Sequence, residues 1–152
     1  MLQIKSLKNK AAHQHLKDTF KREFLDKVKY NYLIKNDEYV VGFLQLNRFN
    51  EGEFIDGYDL ARYITNDLGD KHTVVVEKLF VDKEYRNRGI GSLVIDWIKN
   101  RHENKRILLC SLQDAELFWM KQGFKQLEFP LVEDPDDVYD TDIYCYHSIS
   151  LM

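Results

Sequence analysis

His72-Thr-Val-Val-Val-Glu-Lys-Leu-Phe-Val81, Arg86-Asn-Arg-Gly-Ile-Gly91 and Ser92-Leu-Val-Ile-Asp-Trp-Ile-Lys99 follow one another along the chain, and their order decides the fold. The first run is apolar and β-branched, as strands are. The third carries apolar residues at helical spacing. Between them sits a glycine-containing turn. Strand, turn and helix in this order build an anion site. The first N–H groups of a helix have no partner within it, and the macrodipole adds partial positive charge there. Gly89 and Gly91 let the backbone approach a ligand closely, and Arg86 and Arg88 bring cationic charge. The ligand this suits is a phosphate or pyrophosphate. An ordinary tight turn joining a strand to a helix would use the same glycines. Two known phosphate loops do not fit. The dinucleotide fingerprint needs Gly or Ala three residues after its second Gly, where this chain has Val94. The Walker pattern needs Gly-Lys-Ser/Thr, and here Gly91 is followed directly by Ser92.

Working outward, Leu2-Gln-Ile-Lys5 reads as a first strand. Residues 10–27 read as a helix, with Ala12, Leu16, Phe20 and Phe24 on one face. Tyr30–Lys35 and Tyr39–Leu46 form a hairpin turning at Asn36-Asp37. Residues 50–71 are less regular, with Leu60, Tyr63 and Ile64 marking one short helix; a lid over substrate and a packed insertion both fit. The helix after the glycine turn places Ile90, Leu93, Val94, Trp97 and Ile98 on its buried face. Its basic end, Lys99 to Arg106, complements the helix dipole and needs no ligand. Ile107–Ser111 is a short apolar strand, central and parallel to 72–81. Asp114 can cap a short helix that Gly123 ends, and Phe124–Phe129 and Thr141–Leu151 are closing strands. The order β-α-β-β-β-α-β-α-β-β predicts an α/β fold with a mixed (α+β) sheet flanked by helices.

The 152 residues suit one domain spanning 1–152. A net charge of 22 − 25 = −3 gives no general attraction for nucleic acid. No apolar run is long enough to span a membrane, and the N-terminus lacks a signal-peptide core. Cys110 and Cys145 read as buried free thiols in a reducing cytoplasm, and no metal-ligand spacing is present. His13 and His15, two residues apart, do not share a helix face.

The wider pattern Val81-Asp-Lys-Glu-Tyr-Arg-Asn-Arg-Gly-Ile-Gly-Ser92 resembles the acetyl-CoA signature of the GNAT superfamily of N-acetyltransferases. In that signature a strand is followed by Arg/Gln-x-x-Gly-x-Gly/Ala opening a helix. Arg86, Gly89 and Gly91 occupy its defining positions, with Tyr85 before them. Ala115-Glu-Leu-Phe-Trp-Met-Lys-Gln-Gly-Phe124 is similar to a second family motif, Ala-x-x-φ-Tyr-x-x-x-Gly-Phe, where φ is apolar. The resemblance covers roughly residues 72–125 and implies the GNAT fold with acetyl-CoA as cosubstrate. It places the pyrophosphate on Arg86, Asn87, Arg88, Gly89, Ile90, Gly91 and Ser92, so that Gly91→Trp would block the phosphate without touching the core. It places the pantetheine arm on the backbone of Leu79, Phe80 and Val81, where the strand splays from its neighbour.

Acetyl transfer to an amine needs a proton acceptor, because an alkyl ammonium with a pKa of about 10.4 is almost wholly protonated at neutral pH. Glu77 is the first candidate. Strand alternation predicts that it shares a face with Val75, Leu79 and Val81, an apolar setting that attracts a cation. An exposed edge glutamate, or one paired with Lys or Arg, is the plainer reading. Several small-amine acetyltransferases, the diamine (polyamine) enzymes among them, carry Glu here in a run that resembles Glu77-Lys-Leu-Phe-Val81.

Trp119 departs from the family's Tyr, whose hydroxyl protonates the departing thiolate; an indole N–H cannot do so. It is expected either to pack on the pantetheine or to sit in the core. Leu112 likewise stands where the family often has Asn. Glu133–Asp142 holds six acidic residues and no basic one. By the resemblance it borders the acceptor site, where it would concentrate a small cationic amine. A solvated charged loop is the plainer reading, and His147 reads as a core histidine. The acceptor alternatives are a protein Lys or an N-terminal amine. A CoA-binding regulatory domain with little turnover is the alternative outside the enzyme class. No metal, nucleic acid or membrane partner is expected, and a homodimer is compatible with the fold.

Overall fold

The computed structural model describes residues 1–26, 28–48, 73–103, 105–112, 115–126 and 141–147. The elements are β1 (Leu2–Ser6), α1 (Lys10–Phe20), β2 (Tyr30–Asn36), β3 (Tyr39–Arg48) and β4 (Thr73–Val81), then α2 (Ile90–Arg101), β5 (Arg106–Leu112), α3 (Glu116–Lys121), β6 (Lys125–Gln126) and β7 (Thr141–His147). Their order is the one read from the sequence. The segments 50–71 and 133–140, with Asp114, lie outside the described residues.

The strands form one seven-stranded sheet in the order β1-β2-β3-β4-β5-β7-β6. Every pairing is antiparallel except β4 with β5, which α2 connects as a parallel crossover. Helices cover both faces. On one, α2 and α3 close a core containing Ile34, Leu44, Leu46, Val74, Val76, Val94, Ile98 and Trp119. On the other, α1 packs Leu16 and Phe20 against Phe43, with Phe24 beside them. The Phe43 ring meets Phe20, Phe24 and Phe80 at centroid distances of 5.3, 5.1 and 5.5 Å.

Three local expectations are corrected. The first helix begins at an Asn9 cap, whose side chain accepts from the Ala12 N–H, but ends at Phe20 rather than running to residue 27. Lys21 takes a left-handed φ of 52°, a 3-10 turn follows over Lys21–Glu23, and Phe24 is already extended. Phe24 nevertheless stays buried, because the turn delivers it to the same aromatic cluster. The hairpin turns at Asp37-Glu38, since Asn36 pairs with Tyr39 and Asp37 holds the left-handed φ of 54°. On α2 the buried stripe is Ile90, Val94, Ile95 and Ile98, whereas Leu93 is 54% exposed. The helix is rotated so that Ile95, not Leu93, faces the sheet.

Close approach of β3 to β4 requires a glycine. A Cβ built on Gly42 would lie 2.0 Å from the Phe80 carbonyl oxygen and 3.1 Å from the Val81 Cα. No side chain fits in that space without moving the strand.

Candidate active site

Both β4 and β5 run on after their pairing has ended. Parallel partners extend from Thr73–Arg106 to Val76–Leu109 and stop there, although β4 continues to Val81 and β5 to Leu112, now paired to β7 alone. The break coincides with a bulge. Gln45 faces Lys78 and Leu46 faces Val76, so Glu77 is an extra residue on β4. A bulge bends its strand and increases the local twist, which turns the outer half of β4 away from β5.

The opening presents backbone rather than side chains. The Phe80 carbonyl points at Gly42 on β3, and the Asp82 N–H donates to the Val41 carbonyl at 2.7 Å. By alternation, the peptide groups of Leu79 and Val81 face the other way, into the opening. Their side chains pack against the core on the α2 side. The Phe80 side chain lies on the α1 side, against Phe20 and Phe43.

The turn behind the opening is built from several small devices. The Asp82 side chain caps a 3-10 turn over Lys83–Tyr85. Arg86 folds back so that its Nε donates to the Val81 carbonyl at 2.8 Å, with its guanidinium over the Phe80 ring. Arg88 lies over the Tyr85 ring at 5.5 Å. Asn87 and Gly89 take left-handed φ values of 64° and 78°. Gly89 is the N-cap of α2 and has no side chain with which to cap it. The first bond within the helix runs from the Leu93 N–H to the Gly89 carbonyl, so the N–H groups of Ile90, Gly91 and Ser92 precede the ladder. A Cβ on Gly89 would meet nothing within 4 Å. This open, uncapped helix start fits a pyrophosphate, and the Arg86 tie holds it to the end of β4.

Gly91 does something else. A Cβ there would lie 3.0 Å from Cζ of Phe118, on α3. The expectation that a bulky residue at 91 would spare the core is therefore corrected, because Phe118 packs against the main cluster. Ser92 is also drawn toward α3, accepting from Gln122 Nε2 at 2.9 Å. Lys99 Nζ donates to the Gln122 carbonyl. Burial pushes the Lys99 pKa down, partly offset by nearby Asp96.

Trp119 is 8% exposed and meets Phe118 and Phe124 edge-on at 4.9 and 5.4 Å. Of the two expected placements, its ring occupies the core. Nothing is described of the side chains of Leu112, Cys110, Cys145 and His147. His13 packs edge-on against Phe24 at 4.9 Å.

Glu77 shares a face with Val75 as alternation predicts, but not with Leu79 and Val81. The bulge resets the parity of β4, so Leu79 and Val81 join Val74 and Val76 on the α2 side. Glu77 instead accepts from Asn47 Nδ2 at 3.4 Å. Asn47 pairs with Val75, which places the carboxylate on the α1 side of the sheet. The bulge thus puts the Glu77 carboxylate, on the α1 side of the sheet, beside the break into which the Leu79 and Val81 peptides face.

Sequence reasoning missed Asn47 and Gln45. Alternating polar residues on a strand normally mark a solvent face, yet both are fully buried. Gln45 Oε1 accepts from the Leu25 N–H at 3.0 Å, and its Nε2 donates to the Leu25 carbonyl and to Asn31 Oδ1, both at 2.8 Å. These bonds hold the segment after α1 to the sheet.

Among the described residues no helix is long and apolar enough to cross a membrane. No curated protein matches the chain by sequence. Solved structures match the fold over almost the whole chain. Bacillus subtilis N-acetyltransferase YlbP, solved with coenzyme A, shares 15% identity with a TM-score of 0.62, covering 97% of each chain. Arabidopsis thaliana NAA60 with acetyl-CoA shares 15% at 0.62, covering 97% of this chain and 98% of its own. A. thaliana Naa50, solved with the bisubstrate analogue CoA-Ac-MVNAL, shares 16% at 0.57, covering 95% and 97%. A family model described as an acetyltransferase (GNAT) domain matches residues 29–126. That is well over half of the sequence, and the chain belongs to the GNAT family as an acetyl-CoA-dependent N-acetyltransferase.

Proposed function

We propose that this enzyme acetylates the primary amine of a small cationic molecule by direct attack on the thioester, with Glu77 as proton acceptor. The observation that carries the reading is the break of the sheet at Glu77. In this reading the Leu79 and Val81 peptides along the break meet an acyl-pantetheine arm, and the Glu77 carboxylate on the α1 side meets the acceptor. The pyrophosphate rests on the start of α2, at Gly89, Ile90, Gly91 and Ser92, with Asn87 and Arg88 at its edge. Arg86 acts chiefly through its tie to Val81.

In this reading the ammonium gives up a proton to Glu77, directly or through water. The neutral nitrogen forms a bond to the thioester carbon, the carbon–sulfur bond breaks, and the nitrogen sheds its second proton to solvent or the departing thiolate. The carbonyl oxygen gains charge during the attack and is met by a backbone N–H at the opening. The thiolate needs no protein acid, because a thiol with a pKa of about 8.5 is a fair leaving group near neutral pH. This agrees with Trp119 in place of a phenol. The acidic run 133–142 supplies charge of the right sign for a cationic acceptor.

A peptide amine is the competing acceptor, in view of the shared fold with Naa50 and its acetyl-peptide analogue. Incubating the enzyme with acetyl-CoA and a panel of diamines, polyamines, aminoglycosides and short peptides, read by mass spectrometry, decides between them. Acetylated polyamine or aminoglycoside supports the proposal. Product on peptides alone refutes the small-amine assignment, and no turnover of any acceptor would favour a CoA-binding regulatory role.

A further inference from the structure

The hydrogen bonds of Asn47 reach further than packing requires. Its Oδ1 accepts from the Lys29 N–H at 3.0 Å. A backbone N–H can be met only by the amide oxygen, so this bond fixes which way the amide points. The NH₂ end is thereby directed at Glu77 Oε1, 3.4 Å away. Asn47 is fully buried, and its neighbours on the same side of the sheet are equally well held. Gln45 grips both peptide groups of Leu25, and Asn31 donates to the Val28 carbonyl at 2.9 Å. Every member of this chain of bonds except Glu77 is a neutral amide or a peptide group, so the scaffold itself does not titrate. Along this side Lys78 is paired with Glu23 at 2.8 Å and Lys17 with Asp26 at 2.6 Å, while His13 of α1 lies edge-on against Phe24.

We infer that Asn47 is a positioning residue for the Glu77 carboxylate. Glu77 is the extra residue of a bulge and has no facing residue in the β3–β4 register. The Asn47 amide adds a constraint that references the carboxylate to the 25–29 segment. The inference rests on the reading of Glu77 as proton acceptor.

Substitution can separate the two ends of the amide. Asn47→Asp keeps an acceptor for the Lys29 N–H but replaces the donor to Glu77 with a like charge. A neighbouring carboxylate raises the pKa at which the pair ionises. The expected result is a kcat about tenfold or more lower near neutral pH, a part of the roughly 10²- to 10⁴-fold lost when a general base is removed outright, with the acetyl-CoA KM unchanged. The acidic limb of the rate profile should move to higher pH. Asn47→Ala, which removes both bonds, provides the same comparison if the Asp variant does not fold. Each change is then repeated in Glu77→Gln. If Asn47 acts through Glu77, it costs nothing further in that background. Equal losses in both backgrounds would show a purely structural role and overturn the inference. Fully active Asn47 variants beside an impaired Glu77→Gln would also overturn it while leaving the base assignment standing. A Glu77→Gln enzyme as active as the parent would remove both.

Discussion

Glu77 is one residue too many for its strand, and that surplus gives the site its geometry. Removing the carboxylate while keeping its shape, as in Glu77→Gln, is expected to lower kcat about 10²- to 10⁴-fold at neutral pH. The deficit should narrow as pH approaches the pKa of the amine, about 10.4, where the acceptor deprotonates unaided. Steady-state rates from pH 6 to 10 check this, and a pH-independent deficit would contradict it. Gly89 tests the phosphate site more cleanly than Gly91, whose Cβ space belongs to Phe118. Asn tolerates the left-handed φ that Gly89 adopts, and its side chain would project into open space at the helix start. Gly89→Asn should therefore fold normally and bind CoA at least roughly tenfold more weakly, a difference of about 1.4 kcal/mol in calorimetry. Trp119 is a core residue, so Trp119→Tyr should give no gain in kcat below pH 8.5. It should instead cost roughly 1–3 kcal/mol of stability through lost packing, measured by denaturant unfolding.

At the scale of elements, the outer half of β4 depends on one strand for its position. Past Val76 its strand partner among the described residues is β3, and the tightest point of that contact is Gly42. A methyl group at 42 must push the Phe80 carbonyl aside and carry Leu79 and Val81 with it. Gly42→Ala is expected to destabilise the fold by about 1–3 kcal/mol, as overpacking does. It should also raise the acetyl-CoA KM, because the peptide groups facing the opening are displaced. Unaltered KM in a folded Gly42→Ala enzyme would argue against pantetheine binding along this edge. The short α1 follows from the same sheet face. Gln45 takes both peptide groups of Leu25, so a helix continued through residue 25 would compete with a buried side-chain grip.

Among the described residues the sheet is covered by helices on both faces, and the pairing of β4 with β5 breaks off partway along. A ligand seated in that break links β4 to α2 and should stabilise the native state by mass action. At about 100 times its Kd the gain is roughly 2.7 kcal/mol, which for a chain of this size raises Tm by roughly 5–10 °C. Thermal melts with and without acetyl-CoA measure it. Charge acts over longer distances. Replacing Asp136, Asp137 and Asp140 with Asn should raise the acceptor KM without changing the acetyl-CoA KM. The effect should fade as the Debye length falls from about 10 Å at 0.1 M salt to about 3 Å at 1 M. Equal acceptor KM values at low salt would reduce the segment to solvated charge.

The sequence by itself determined the order of the elements, the parallel pairing of β4 with β5, the glycine-capped start of α2 and the family. Each of these rests on local signals: β-branched runs, helical spacing, and residues that tolerate left-handed backbone. It also singled out Glu77 as the chemically notable residue. It did not determine that Leu79 and Val81 would leave the face Glu77 shares with Val75, because alternation assumes a regular strand and a bulge arises only when two strands pair. It read Gln45 as an ordinary strand residue and ended the strand before Asn47, since nothing local reveals that a polar side chain will be buried against the peptide groups of residues 25–29. It assigned Gly91 to the ligand alone, because contact with Phe118 depends on how α3 settles beside α2. These choices are made by pairs of residues distant in sequence, through register, burial and hydrogen-bond satisfaction, and only the tertiary structure brings those pairs together.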